Sequence, residues 1–357
     1  MSKTIIFNTE NNFQLESGEQ IPQLSIAYNT YGTYDPQKNN VIWVCHALTA
    51  NSDVFDWWKG VFGENDLFNP NDHFIVCANI LGSHYGTSGP LNTFNEDKPL
   101  LDLFPFITTR DMARAHELLR QELKIEKIQL LIGASLGGQQ ALEWSIEQPS
   151  IIENLILIAT NARHSAFGIA FNQTQRLALF ADQTFGNGNV DGGRYGLISA
   201  RAIAMLSYRS YDGYAKTQTN PGNHTTDNFL AASYQEYQGE KLAKRFNAYS
   251  YLILSKAMDA HNVGRKRPSI EIALQQIKAK TLVIGIESDL LFPVKEQEFL
   301  SEWIPNAYFG KIDSDFGHDG FLVENTQLTA LISDFLHNDF KQNRPTIFKT
   351  TSKKELA

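Results

Sequence analysis

Three side-chain types that together can pass an acyl group lie in this chain in an informative order. A serine sits in Gly133-Ala134-Ser135-Leu136-Gly137-Gly138, an acid in Glu287-Ser288-Asp289, and a histidine in Phe316-Gly317-His318-Asp319-Gly320. A serine hydroxyl is a weak nucleophile until a base takes its proton, and the base needs a third group to orient it. The order serine, acid, histidine, each just beyond an apolar run, is that of a nucleophile elbow and its two partners.

Local context sharpens each choice. The G-x-S-x-G pentapeptide follows the apolar run Ile128 to Ile132 and precedes a helical pattern from Gln139 to Trp144. A strand-to-helix turn that tight holds its serine in strained backbone, and side chains at the flanking glycines would collide with neighbouring strand and helix. The hydroxyl is thereby exposed, and the Leu136 N–H faces the place where an oxyanion forms. A second oxyanion donor is expected from the loop after an early strand, Val44-Cys45-His46-Ala47-Leu48-Thr49-Ala50. The Leu48 N–H is a plausible donor; from position alone Ala47 or Thr49 serves as well. Among nine histidines, His318 lies in a glycine-flanked loop between the last strand and the last helix, whereas His116 and His337 fall on helices. His46, His84 and His164 also sit near strand ends or loops. The acid directly follows the apolar run Thr281 to Ile286, with Asp289 the choice and Glu287 its rival.

The elements that must position these groups read as an alternation. Apolar runs at Ser25 to Tyr31, Val41 to Cys45, Phe74 to Asn79, Ile128 to Ile132 and Leu155 to Thr160 predict strands. Arg110 to Leu123 predicts a helix with Met112, Ala115, Leu119 and Leu123 on one face, capped by Thr108 or Thr109 with Asp111 in its first turn. Strands return at Thr281 to Ile286 and Tyr308 to Ile312, and a last amphipathic helix spans Gln327 to Leu336. Alternating strands and helices predict an α/β fold with a mostly parallel sheet flanked by helices. The text between about Arg163 and Lys278 is helical, with turn clusters at 187–193 and 219–223. The expected division is a core of residues 1–162 and 279–343, a helical lid insertion at 163–278, and a loose tail at 344–357.

Composition narrows the function classes. The chain has 357 residues, 42% of them hydrophobic, and a formal net charge of −8, which argues against nucleic acid or an anionic membrane as partner. No run reaches transmembrane length and the first residues lack a secretory apolar core, so a cytoplasmic setting is expected. Cys45 and Cys77 each lie inside an apolar run and are expected as two buried thiols. No C-x-x-C, H-E-x-x-H or EF-hand pattern supports a metal.

These motifs as a set resemble the homoserine O-acetyltransferases, acyltransferases of the α/β-hydrolase fold. The resemblance runs over roughly residues 5 to 340. It is carried by His46-Ala47-Leu48-Thr49-Ala50, Asp56-Trp57-Trp58, Asn79 to Pro90, Phe104 to Thr108, Gly133 to Trp144, Gly196 to Arg201, Ser207-Tyr208-Arg209-Ser210, Ser288 to Pro293 and Gly317 to Leu322. It implies Ser135 as nucleophile, Asp289 as orienting acid, His318 as base, and Leu48 and Leu136 as oxyanion donors. It further implies Arg201 and Asp319 as contacts to a zwitterionic amino acid, with Tyr208 nearby. The implied reaction moves an acetyl group from acetyl-CoA, a co-substrate rather than a cofactor, to L-homoserine by a ping-pong path in methionine biosynthesis. A homodimer built through the lid is implied as well. Succinyl-CoA as donor, L-serine as acceptor, or water as acceptor in an esterase or thioesterase remain the alternatives. The chain departs from the family pattern at Ala134, Leu136 and Gly320, and its segment Phe185 to Tyr195 is shorter and lacks a tryptophan usual there.

Overall fold

The computed structural model describes residues 4–94 and 97–337. Eight strands form the main sheet: β1 (Ile5–Asn8), β2 (Ser25–Tyr31), β3 (Val41–Cys45), β4 (Phe74–Ala78), β5 (Ile128–Ala134), β6 (Ile152–Ile158), β7 (Lys280–Ile286) and β8 (Ala307–Ile312). Their spatial order is β1-β2-β4-β3-β5-β6-β7-β8. β1 and β2 run antiparallel to their neighbours, and all pairs from β4 onward are parallel. All five residues of β3 are buried, as a strand covered on both faces requires.

The chain leaves β3 toward β4 on one side and later returns to β5 on the other. That reversal opens a crevice beyond the carboxyl ends of β3 and β5, where open α/β sheets bind ligands. Ser135 follows β5 directly, and the His46–Ala50 loop follows β3.

One face of the sheet is covered by α1 (Thr109–Glu122) and α2 (Leu136–Glu147). Thr108 caps α1 through a reciprocal box: its Oγ1 accepts from the Asp111 N–H at 3.3 Å, and Asp111 accepts from the Thr108 N–H at 2.8 Å. Met112, Ala115 and Leu119 point inward, and Trp43 of β3 meets Trp144 of α2 edge-on at 5.0 Å. Beneath the other face lie Phe62, Phe68, Trp58 and the last helix.

Between β6 and β7 the principal elements are helices: α3 (Ala166–Ala181), α4 (Arg194–Tyr208), α5 (Tyr211–Gln218), α6 (Leu230–Ala243), α7 (Ala248–Asp259) and one short turn, Ile270–Leu274. After β7 come α8 (Val294–Trp303) and, beyond β8, α9 (Asn325–Leu336).

The elements differ from expectation mainly at their ends. β6 begins at Ile152 rather than Leu155, because the exposed Glu153 interrupts the apolar run. Helix α2 begins at Leu136 rather than Gln139, because the elbow passes straight into it. The edge strand β1 and the two-stranded ribbon of Phe13–Gln14 with Gln20–Ile21 lacked a sequence signal. Cys45 and Cys77 are free and buried on adjacent strands. The tail expected at 344–357 lies outside the described residues. Among the described residues no helix is long and apolar enough to cross a membrane, and no cluster of three or more His, Cys, Asp or Glu is arranged to hold a metal ion.

Candidate active site

The elbow has the strain that its sequence requires. Ser135 has φ 57° and ψ −126°, a region non-glycine residues rarely occupy. A Cβ on Gly133 would lie 2.3 Å from the Gly137 carbonyl oxygen, and one on Gly137 would lie 2.0 Å from the Cys45 carbonyl oxygen. Both sites therefore exclude any side chain. The end of β6 holds the turn in place: Ser135 N–H donates to the Ile158 carbonyl at 2.9 Å, and Thr160 Oγ1 donates to the Ser135 carbonyl at 2.9 Å.

The structure brings Ser135, His318 and Asp289 together. His318 Nε2 lies 2.9 Å from Ser135 Oγ, and Nδ1 lies 2.7 Å from Asp289 Oδ2. The other carboxylate oxygen, Asp289 Oδ1, accepts from the Leu291 and Phe292 N–H groups at 2.8 and 2.9 Å. The acid is thus locked, and with Nδ1–H donating to it, Nε2 is left to accept from the serine. Phe292 stacks on the imidazole at 5.1 Å, and Tyr208 and Phe321 lie against it at 5.6 Å each. Burial disfavours the charged ring, but the Asp289 carboxylate outweighs it and holds the imidazole above its ordinary value, with Asp319 acting in the same direction. Glu287, the rival acid, is half exposed and paired with Lys311, away from the histidine.

Gly317 fixes the histidine loop. At φ 58° it packs against the Tyr208–Ser210 backbone, and its N–H donates to Ser288 Oγ at 3.0 Å, tying the loop to the acid turn.

The His46–Ala50 loop is held from within. His46 Nδ1–H donates to the Ala47 carbonyl at 2.8 Å, and Nε2 accepts from the Ile80 N–H at 3.1 Å. Burial pushes this ring down to about 4, so it stays neutral with one tautomer fixed. His46 is therefore a scaffold rather than a base. Among the described residues neither the Leu48 N–H nor the Leu136 N–H has an acceptor. As the first residue of α2, Leu136 also carries one of the unsatisfied amides at a helix start.

A cavity of about 300 Å³ opens over Ser135, lined by Leu48, Arg201, Tyr208, His318 and Asp319. The Arg201 guanidinium lies 5.1 Å from the Tyr208 ring centre and, among the described residues, makes no hydrogen bond or ion pair. Asp319 is already engaged: its carboxylate lies 3.4 Å from Arg209 Nε. That arginine stood inside the quoted Ser207–Ser210 segment, but nothing in its spacing linked it to Asp319. Lys241 and Arg245 also line the cavity. They stand four apart, as one helix face would place them, but no sequence signal ties that face to the serine.

A model of the α/β-hydrolase fold matches residues 40–195. A homoserine O-acetyltransferase from Cyclobacterium marinum is 46% identical over 331 residues, covering 92% of this chain and 94% of that one. The crystal structure of a homoserine O-acetyltransferase from Bacillus anthracis superposes with a TM-score of 0.84 at 22% identity, covering 94% of this chain and 98% of that one. Esterase E22 superposes equally well, at 0.85 with 21% identity and coverage of 94% and 100%, so the fold alone leaves the acyl acceptor open. The elbow, the ordered partners and the close relatives together place the chain: it belongs to the homoserine O-acetyltransferase family of the α/β-hydrolase fold.

Proposed function

We propose that this enzyme transfers an acetyl group from acetyl-CoA to the side-chain hydroxyl of L-homoserine through an acyl-serine intermediate. The observation that carries the reading is the hydrogen-bonded line Ser135–His318–Asp289 opening onto a cavity with a cation, Arg201, that makes no ion pair among the described residues.

In the first half-reaction His318 Nε2 takes the Ser135 proton as Oγ attacks the thioester carbonyl. The Leu48 and Leu136 N–H groups receive the oxyanion. The carbon–sulfur bond breaks, and CoA leaves as the thiol with the proton from His318. In the second, homoserine enters with its carboxylate on Arg201 and its ammonium toward Asp319, near Tyr208. His318 removes the hydroxyl proton, the oxygen attacks the acyl carbonyl, and Ser135 recovers its proton as O-acetylhomoserine, a methionine precursor, departs. The helices between β6 and β7 act as a lid that keeps water from the acyl-enzyme.

A zwitterionic acceptor needs a cation and an anion side by side, and a water-using esterase does not. Arg201 and Asp319 therefore favour transfer over hydrolysis. We extend the reading to a cytoplasmic homodimer, for which the exposed Phe167, Leu177 and Phe180 on α3 offer an apolar lid face; light scattering tests the dimer. The reaction is tested by thiol release, crossing acetyl- and succinyl-CoA with homoserine, serine and no acceptor. Fast release only with acetyl-CoA and homoserine supports the reading. Equal release without an amino acid overturns it.

A further inference from the structure

Arg245 follows α6 and reaches from the lid to the core. Its Nη1 donates to the Thr49 carbonyl at 2.6 Å and to Tyr85 Oη at 2.8 Å. It makes no ion pair with a carboxylate among the described residues. Its neighbour Phe246 is buried and packs edge-on against Tyr85 at 5.8 Å and His84 at 6.0 Å, which anchors the segment on the loop after β4.

What Arg245 touches connects to the serine through two peptide groups. The Thr49 carbonyl shares its peptide plane with the Ala50 N–H. That N–H donates to the Ala47 carbonyl at 3.1 Å. The Ala47 carbonyl shares its plane with the N–H of Leu48, a residue that lines the same cavity as Ser135. The hydrogen bonds thus run in one direction, from guanidinium to peptide 49–50 to peptide 47–48. Each bond polarises the next, and a cation at the head strengthens the donor at the tail. His46, donating to the same Ala47 carbonyl, fixes the plane from the core side but carries no charge.

We infer that Arg245 is a positioning residue for the oxyanion hole, which it orients and polarises through the Thr49 and Ala47 carbonyls, so that the lid and the Leu48 donor are coupled. The inference rests on the reading of Leu48 N–H as an oxyanion donor. Arg245 touches neither reacting atom. Its effect falls on every step that passes through a tetrahedral oxyanion, and on both half-reactions alike.

The test compares the wild type with Arg245→Met, Arg245→Lys and Tyr85→Phe. Acylation is read as the burst with p-nitrophenyl acetate, which needs no acceptor. Deacylation is read by homoserine, and oxyanion binding by the inhibition constant of methylboronic acid, whose adduct on Ser135 is tetrahedral. Removing a whole oxyanion donor costs about a hundredfold or more, so misaligning one in Arg245→Met is expected to slow both half-reactions by about ten- to a hundredfold. The boronate should weaken by a similar factor, with KM for acetyl-CoA and homoserine within about twofold. Arg245→Lys, which keeps the charge and one donor, should recover most of the rate. Tyr85→Phe, which removes only the second acceptor, should show a small change in the same direction at an unchanged melting temperature. A loss confined to KM for acetyl-CoA would make Arg245 a donor-binding cation and overturn the inference. So would unchanged bursts in Arg245→Met with the wild type active. A wild type that gives no burst at Ser135 would sink the proposed function itself.

Discussion

Two polar regions of this molecule treat charge in opposite ways. At the far side of α1 and α2, Glu143 is fully buried between Arg110, at 3.0 and 3.2 Å, and Arg267, at 2.8 Å. Glu16 is held there by Arg110 at 2.7 Å and by Arg265 at 2.8 and 3.0 Å, and it accepts from Thr108 Oγ1 at 2.9 Å. In that knot Glu143 and Glu16 are each met by two arginines. In the cavity over Ser135, Arg201 makes no ion pair among the described residues, and Asp319 is only loosely met by Arg209 at 3.4 Å. The contrast separates charges that hold the chain together from charges left open to the cavity. The knot binds the N-terminal segment, α1, α2 and the chain that returns to β7 from the intervening helices. The cavity leaves Arg201, which is only partly buried, open to a carboxylate.

The largest expected effect breaks the catalytic side. Ser135→Ala should abolish acyl-enzyme formation and lower homoserine-dependent thiol release by about 10⁴-fold or more, with the melting temperature held, since alanine keeps the Cβ and with it the backbone strain. Breaking the other side should do the reverse. Glu143→Gln takes the carboxylate from between Arg110, which keeps Glu16, and Arg267, which keeps only Glu147 at 3.9 Å; removing one partner of a buried ion pair costs about 3–5 kcal/mol, so the loss should approach the lower figure. Denaturant unfolding should show that loss while kcat of the folded enzyme is retained.

A finer cut within the cavity is Arg201→Met. A hydrogen bond to a charged group contributes about 1.5–3 kcal/mol, so kcat/KM for homoserine should fall by about ten- to a hundredfold. The acetyl-CoA burst should be unchanged, since the carboxylate enters only in the second half-reaction. An equal loss in both halves would show that Arg201 serves the serine rather than the acceptor.

The smallest effects are those of pH, and they differ in sign between the regions. The imidazole of His318 is held above its ordinary value of 6.5, so it is already protonated, and unable to take the serine proton, until pH rises past that raised value. The acid limb of kcat/KM should therefore lie above 6.5 and move down in Asp289→Asn. Glu16 behaves oppositely. Burial alone would raise it, but Arg265, Thr108 and Arg110 bring it down to about 2. Its stabilisation is complete above about 4.5 and is lost as pH falls toward 2, so Glu16→Gln should flatten the acid dependence of the melting temperature.

The same division decides how much could be read from the sequence. The serine, acid and histidine were legible because each follows an apolar run, and the serine and histidine are flanked by glycines as well. The inner strands were legible because burial on both faces makes them continuous apolar text. The knot left no such trace. Arg265 and Glu16 are 249 residues apart, and Arg110 and Glu16 are 94 apart, so only the fold brings them together. The pairing of Asp319 with Arg209, and the reach of Arg245 to Thr49, were hidden for the same reason. Strand β1 was hidden for another: its residues are largely exposed at the sheet edge, so no buried face marks it.

The most direct test is the mass of the intact protein, followed in time after acetyl-CoA is added without acceptor and again after L-homoserine is added. One acetyl group is expected to accumulate on Ser135, to persist while no amino acid is present, and to be discharged on homoserine with formation of its O-acetyl ester. An enzyme that never carries the acetyl group, or that loses it to water as fast as to homoserine, would contradict the proposed function.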